Sequence, residues 1–373
     1  MKTWIEVSGE ALRSNYRALA KIVSPANVLA VVKSDAYGHG LSLVAEALKG
    51  LAEGFAVDRV EEGVKLRTTG VSQPIVILGY VPQGEIGQAL EANLELTVAS
   101  FEQLKQLHFT TQEKRSSCTI HLEVETGLYR QGIPETELSL VIELLKKSPW
   151  ITVKGLCTHF ANVEEDELKE YPHQQLRRFE VYEKVLRDHG IQSLQRHTAC
   201  SAAALGLPES RFEAVRAGIS LYGIWSSELT KQQAQQLGIQ LTQLRPALVW
   251  KTVVAQVKSV PANETIGYAR AYHTERETRI AVLPIGYYDG YTRLLSGKGR
   301  VVIHGQPCPV LGRICMNMCM VDITDVAEVV SVGTEVTLIG PGADVEDMYT
   351  RAGTIHHDLL ARLSPTIPRR LVD

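Results

Sequence analysis

The chain has 373 residues, 45% of them hydrophobic, and a formal net charge of −3. That length suits two domains with sizeable cores, and charge so close to balance argues against a nucleic-acid or polyanion partner. The opening Met1-Lys2-Thr3-Trp4-Ile5-Glu6 lacks the apolar stretch of a signal peptide, and no apolar run reaches the roughly 18 residues that span a membrane. Cys118, Cys157, Cys200, Cys308, Cys315 and Cys319 form no C-x-x-C pair. This pattern predicts reduced thiols in a cytoplasmic protein and no metal site.

Residues 3–7 read as a short strand and 9–23 as a helix. Apolar strands then alternate with amphipathic helices. Strands are expected at 28–33, 54–57, 75–78, 95–98, 119–124, 153–158, 193–197 and 214–220. Helices are expected near 41–50, 59–69, 85–92, 100–108, 134–147, 171–189 and 200–206. Eight strands at this spacing predict an α/β fold, a (β/α)8 barrel of the TIM type rather than a doubly wound sheet. After Trp225 the texture changes. A Gln-rich connector over 231–243 leads to strand-like runs at 247–258, 278–284, 299–303, 308–311 and 335–339, and helical signal returns only near 348–360. The expected division is a barrel over 9–235 and a mainly β domain built from 1–8 plus 236–373.

In such barrels the active site lies at the C-terminal ends of the strands. Lys33 ends the first apolar run, Val28-Leu29-Ala30-Val31-Val32, and Tyr37 follows it. A lysine there either snorkels to solvent or serves as a nucleophile or Schiff-base former. Arg130 follows the fifth strand, His159 ends the sixth, Ser201 follows the seventh, and Arg216 with Gly218-Ile219 belongs to the eighth. Singly, each fits an ordinary structural part. Together they put a lysine, two arginines, a histidine and a phosphate-friendly Ser/Gly set on one barrel face. Ser201 and the Gly218-Ile219 backbone suit a phosphate. A lysine opposite suits pyridoxal phosphate.

These stretches resemble the alanine racemase family, built from a barrel and a β domain. The resemblance is carried by Ala30-Val31-Val32-Lys33-Ser34-Asp35-Ala36-Tyr37-Gly38-His39-Gly40, Thr158-His159-Phe160, Phe212-Glu213-Ala214-Val215-Arg216-Ala217-Gly218-Ile219, Ile266-Gly267-Tyr268, Pro284-Ile285-Gly286-Tyr287-Tyr288-Asp289-Gly290 and Gly312-Arg313-Ile314-Cys315-Met316. It implies that Lys33 holds pyridoxal 5'-phosphate and acts as one of two bases. Tyr268 from the partner subunit of a homodimer is then the other, since racemisation removes the Cα proton on one face and returns it on the other. It further implies that Arg216 faces the pyridine nitrogen and that His159 bonds Arg216. Arg130 then meets the cofactor's phenolic oxygen and the substrate carboxylate, and the amide of Met316 of the partner subunit meets that carboxylate. Tyr37, Ser201, Gly218 and Ile219 become phosphate ligands, and Tyr287, Arg293 and Arg313 line the substrate entrance. The implied reaction interconverts L- and D-alanine and supplies D-alanine for peptidoglycan.

Five positions depart from the family pattern. Glu123 stands where a carbamylated lysine is common, and is expected to pair with Arg130 as a fixed anion. Cys200 replaces a common Asn, Asn162 a small residue and Asn317 a common Asp. Pro365 aligns with a tyrosine of the inner entrance, so its pocket is expected to be wider. A serine or broader amino-acid racemase is therefore one alternative. A non-catalytic carrier of the cofactor is another, although it leaves Tyr268 and Met316 unused. Decarboxylases of the same fold pair the pyridine nitrogen with a carboxylate, where this chain has Arg216. A phosphate-sugar barrel enzyme leaves the β domain unexplained.

Overall fold

The computed structural model describes residues 1–240 and 244–373. The chain runs through β1 (Thr3–Ser8), α1 (Gly9–Val23), β2 (Asn27–Val31), the one-turn α2 (Lys33–Tyr37), α3 (Leu41–Leu48), β3 (Gly54–Val57) and α4 (Val60–Thr68). It continues with β4 (Ile75–Ile77), α5 (Gln83–Glu91), β5 (Glu95–Val98), α6 (Phe101–Lys114), β6 (Cys118–Glu123), α7 (Glu135–Lys146) and β7 (Ile151–Cys157). Next come α8 (Glu170–Asp188), β8 (Gln195–His197), α9 (Ser201–Gly206), β9 (Ala214–Ala217) and α10 (Glu228–Gln236).

Strands β2 to β9 form an eight-stranded sheet in the order β8-β7-β6-β5-β4-β3-β2-β9, every pair parallel. The Arg216 amide donates to Ala199 O at 2.9 Å, which ties the two ends together. The fold is the (β/α)8 barrel expected from the strand spacing. Apolar strands such as β3, buried at every position, supply one part of its core. Capping explains several helix starts. Ser100 Oγ accepts the Gln103 amide at 3.2 Å, and Ser227 Oγ accepts the Thr230 amide at 3.1 Å. The second cap begins a helix that runs into the expected connector. Its glutamines are good helix formers once a cap supplies the start. Residues 241–243 of that connector lie outside the described residues.

The remaining elements are β10 (Leu248–Val253), β11 (Gln256–Val260), β12 (Thr265–Ile266), β13 (Tyr272–His273), β14 (Thr278–Leu283), β15 (Arg300–Ile303), β16 (Gln306–Leu311), β17 (Cys319–Asp322), β18 (Glu335–Ile339), α11 (Val345–Ala352), α12 (His356–Ala361) and β19 (Arg369–Val372). With β1, the strands other than β12 and β13 make a nine-stranded sheet in the order β11-β14-β17-β16-β15-β18-β10-β1-β19, while β12 and β13 pair only with each other. The expected single strand over 247–258 is two strands, because Val254 and Ala255 break the ladder between β10 and β11. The expected helix over 348–360 is likewise two, parted at Gly353, whose φ of 70° ends the first in the left-handed region. Strands β12, β13, β17 and β19 were not expected. They are short or charged, and give little period-2 signal.

Two compact units result. One comprises Met1–Gly9, Asp35–Leu43 and Pro246–Asp373, the other Glu10–Ser34 and Val44–Arg245. The sheet unit has its own core, in which Trp250 and Tyr291 meet edge-on at 6.0 Å and the Trp250 indole donates to Thr3 Oγ1 at 3.0 Å. All six cysteines are unpaired. Among the described residues no helix is long and apolar enough to cross a membrane.

Candidate active site

Lys33 is half-buried and begins α2 instead of ending a strand, since β2 stops at Val31. The turn it opens is left-handed. Ser34, Asp35, Ala36 and Tyr37 have φ of 55°, 53°, 55° and 53°, a region that costs L-residues about 1–2 kcal/mol each. Local bonds hold it. The Ser34 amide donates to Glu62 Oε1 at 2.6 Å, and Asp35 accepts the Leu41 amide at 2.9 Å and the Gly40 amide, at its main-chain oxygen, at 2.8 Å. Glu62 also accepts the amides of Asp58 and Arg59. It anchors the lysine's turn to the loop after β3, a role the sequence did not suggest.

Arg216, on β9, is buried. Its Nη2 donates to Thr158 O at 2.7 Å, to Thr198 O at 3.2 Å and to His159 Nδ1 at 3.3 Å. Its Nη1 donates to His197 Nδ1 at 2.7 Å and to the His197 carbonyl. No acceptor for Nε lies among the described residues, so this donor is left for a ligand. Burial, then the cations Arg216, Arg130 and Lys33, push the His159 imidazole down to about 3. The expected bond between His159 and Arg216 is therefore present, made to a neutral ring.

Ser201 begins α9, and its Oγ accepts the amides of Gly218 at 2.9 Å and Ser220 at 3.3 Å. The Ser220 hydroxyl is buried beside them without a partner among the described residues. A buried hydroxyl with nothing to bond is costly, and a phosphate oxygen would satisfy it. Ser201, Gly218 and Ser220 are thus drawn together beside Ile219 and could hold a phosphate, and Ser220 is one that sequence reasoning missed. Cys200 precedes them without capping the helix, its thiol pushed up first by burial.

Glu123 is buried at the end of β6. Its expected partner was Arg130, but its carboxylate accepts the Gln131 side-chain amide instead. Gln131 also donates to Leu78 O at 3.0 Å. Arg130 is exposed and acts on Glu123 only through its charge, as neighbouring Gln131 takes the inward position. Burial raises the Glu123 carboxyl, and Arg216, Gln131 and Arg130 only partly offset this. The side-chain oxygen of Asn162 is buried and has no partner among the described residues.

In the sheet unit, Tyr37 packs its ring on His357 at 5.7 Å. Tyr268 is 70% exposed in the tight turn Tyr268–Arg270. Gly267 before it has φ of 80°, and a Cβ there would crowd the Met320 methyl at 3.2 Å. The loops of Tyr287 and Met316 are laced together. The Tyr287 amide donates to Cys315 O at 3.1 Å and the Tyr288 amide to Met316 O at 3.0 Å. Gly286 must lack a side chain, because a Cβ would collide with the main chain at Cys315 and Met316. Arg293, Arg313, Asn317 and Pro365 are exposed.

Residues 7–226 match the family described as alanine racemase, N-terminal domain, and residues 247–371 match its C-terminal domain. An alanine racemase of Clostridium novyi is 38% identical, over 98% of this chain and 94% of its own length. The solved alanine racemase of Clostridium difficile 630 superposes with a TM-score of 0.91 at 32% identity, covering 100% of this chain and 96% of that one. The alanine racemase of Bartonella henselae, solved with covalently bound pyridoxal phosphate, superposes with a TM-score of 0.86 at 27% identity, covering 100% of both chains.

Proposed function

The chain belongs to the alanine racemase family and is an amino-acid racemase, and from that premise we propose that it interconverts L- and D-alanine through two bases, Lys33 and Tyr268 of the partner subunit. The observation that carries the proposal is the donor set of the barrel. A half-buried lysine, an arginine with one free donor and a cradle with an orphaned hydroxyl fit pyridoxal 5'-phosphate. When bound, that cofactor withdraws electrons from the substrate and makes the Cα proton acidic.

The chain's own residues do the rest. Lys33 would hold the cofactor covalently until the substrate amine takes its place, and its freed Nζ would then take or return the Cα proton on one face. The hydroxyl of Tyr268 of the partner subunit acts on the other. Ser201, Gly218, Ile219 and Tyr37 bind the phosphate. Arg216, which cannot give up its proton, offers Nε–H to the pyridine nitrogen and keeps that nitrogen unprotonated. Arg130 and the amide of Met316 of the partner subunit orient the substrate carboxylate, Glu123 supports the Arg130 loop, and Tyr287, Arg293 and Arg313 line the way in. The working form is a cytoplasmic homodimer with shared sites, its barrel spanning 9–235 and its β domain 1–8 plus 236–373. It supplies D-alanine to peptidoglycan.

The test is an absorbance band near the visible edge that borohydride abolishes, with the label left on Lys33, together with kcat/KM for L-alanine and L-serine. No band removes the cofactor from the account. Pro365 favours a second reading, a serine or broader racemase. A single hydroxyl is discriminated only about 10–200-fold in a pocket, so the ratio of the two kcat/KM values decides between them.

A further inference from the structure

Below Arg216 the barrel interior is polar. His197 and His121 are fully buried there, their rings edge-on with centroids 4.9 Å apart. Arg216 can only donate. With its Nη1 2.7 Å from His197 Nδ1, that nitrogen must accept, and the His197 proton must sit on Nε2. His197 Nε2 is 2.8 Å from His121 Nδ1, so His121 also accepts at Nδ1 and carries its proton on Nε2. That nitrogen donates to Glu95 Oε2 at 2.8 Å, and Glu95 Oε1 accepts from Lys154 Nζ at 2.6 Å. Every link therefore points from the guanidinium towards the carboxylate, and the lysine closes the line from its far end.

The fold makes room for this line. Thr97 of β5 pairs with His121 of β6, and His121 in turn pairs with Gly155 of β7 after a register shift at Ile120/His121. A Cβ on Gly155 would enter the His121 ring. An extra proton on either imidazole would set two N–H donors face to face. Burial pushes both rings down, joined at His197 by the charge of Arg216. Burial alone would raise the Glu95 carboxyl, but the bonds from His121 and Lys154 outweigh it. A buried polar line is seldom more stable than an apolar core of equal volume, so a use other than stability has to account for it.

We propose that Glu95, His121 and His197 are positioning residues for the racemase reaction, their one-way hydrogen-bond line fixing His197 as an Nδ1 acceptor and so pinning the Arg216 guanidinium. The inference rests on the function proposed above, because only that reading gives Arg216 a ring nitrogen to face. The line acts through Arg216 and touches neither substrate nor cofactor.

Histidine-selective 15N labelling of the holoenzyme reads the line directly. His121 and His197 are expected as neutral rings with the proton on Nε2 and a bare Nδ1. An imidazolium, or a proton on Nδ1 of either ring, overturns the proposal without any variant having to fold. The second arm compares His121→Leu, Glu95→Leu and His121→Gln. Glutamine can accept from His197 and donate to Glu95, so it preserves the direction of the line. The leucine variants are expected to lose about tenfold in kcat, the size of one hydrogen bond to a charged group, with KM little changed. His121→Gln is expected to recover most of that loss. Folded leucine variants that turn over at the unsubstituted rate, or a glutamine that rescues nothing, overturn the proposal. Failure of the parent reading looks different: the unsubstituted protein would not racemise alanine at all.

Discussion

Arg216 Nη2 stands 3.3 Å from His159 Nδ1, and because the arginine can only donate, His159 keeps a lone pair on that nitrogen and its proton on Nε2. Burial and three nearby cations, Arg216 first, push this imidazole down to about 3, so it stays neutral across the range in which a racemase is assayed. The acid limb of the kcat/KM profile therefore belongs to another group. His159→Asn should lower the rate yet leave the midpoint of that limb in place; a shifted midpoint would contradict the neutral assignment.

Other buried histidines govern acid stability. Burial first, followed in each case by a neighbouring cationic or ionisable group, lowers His39 and His356 to about 4. Their folded values lie below the unfolded one, near 6.5. The unfolded chain then binds more protons below that pH, so stability is complete above it and falls as pH drops towards the folded values. Each fully buried ring contributes up to ~2 kcal/mol of this loss by pH 5. Urea unfolding at pH 7 and pH 5 should show a lower midpoint in acid, and His39→Asn should narrow the gap.

The two proposed bases separate by direction. Lys33→Ala should abolish racemisation both ways and remove the borohydride-sensitive band. Tyr268→Ala should keep the band, and lose solvent-deuterium wash-in from L-alanine far more than from D-alanine. Equal losses from both isomers would count against two bases. Mixing the two inactive variants should restore activity as subunits exchange, since each mixed dimer can assemble one site with both bases intact.

Gln131 is the residue that keeps Glu123 bonded. Gln131→Leu leaves a buried carboxyl short of its donor, an error costing about 1–3 kcal/mol. Denaturant unfolding should show that loss. Glu123→Gln in the same background should recover part of it, because a neutral amide is cheaper to bury.

The left-handed turn after Lys33 is strained at Ser34, where φ is 55°. Ser34→Gly should leave stability within about 0.5 kcal/mol of the original, with relieved strain offset by a freer unfolded chain. Ser34→Val should cost more than about 1 kcal/mol, as a β-branched residue resists this backbone. Equal thermal midpoints for the two variants would argue against the strain.

The barrel and the residues at its strand ends were legible because strand-helix alternation and strand-end chemistry are local signals. Lys33 follows a short apolar run, and His159, Ser201 and Arg216 lie in or just after expected strands. What escaped notice depends on pairing across strands. Glu95, His121 and His197 lie on three different strands and meet only when the barrel closes. Glu95 with Thr97, and His121 with Glu123, are polar at alternate positions of otherwise apolar strands, which was the one available sign. The Glu123 pairing went astray because adjacent Arg130 and Gln131 are separated by the direction of a loop, not by residue type.

The place of β1 has a consequence for the order in which the protein is made. It lies between β10, to which it is antiparallel, and β19, to which it is parallel. During synthesis the barrel strands β2 to β9 can all pair before either neighbour of β1 has left the ribosome. Until then Ile5 and Val7, fully buried in the finished sheet, belong to an open strand that other chains could add to. A strand made before the whole barrel is among the last to find its place, so conditions that slow the completion of residues 246–373 should favour aggregation through β1 while leaving the barrel formed.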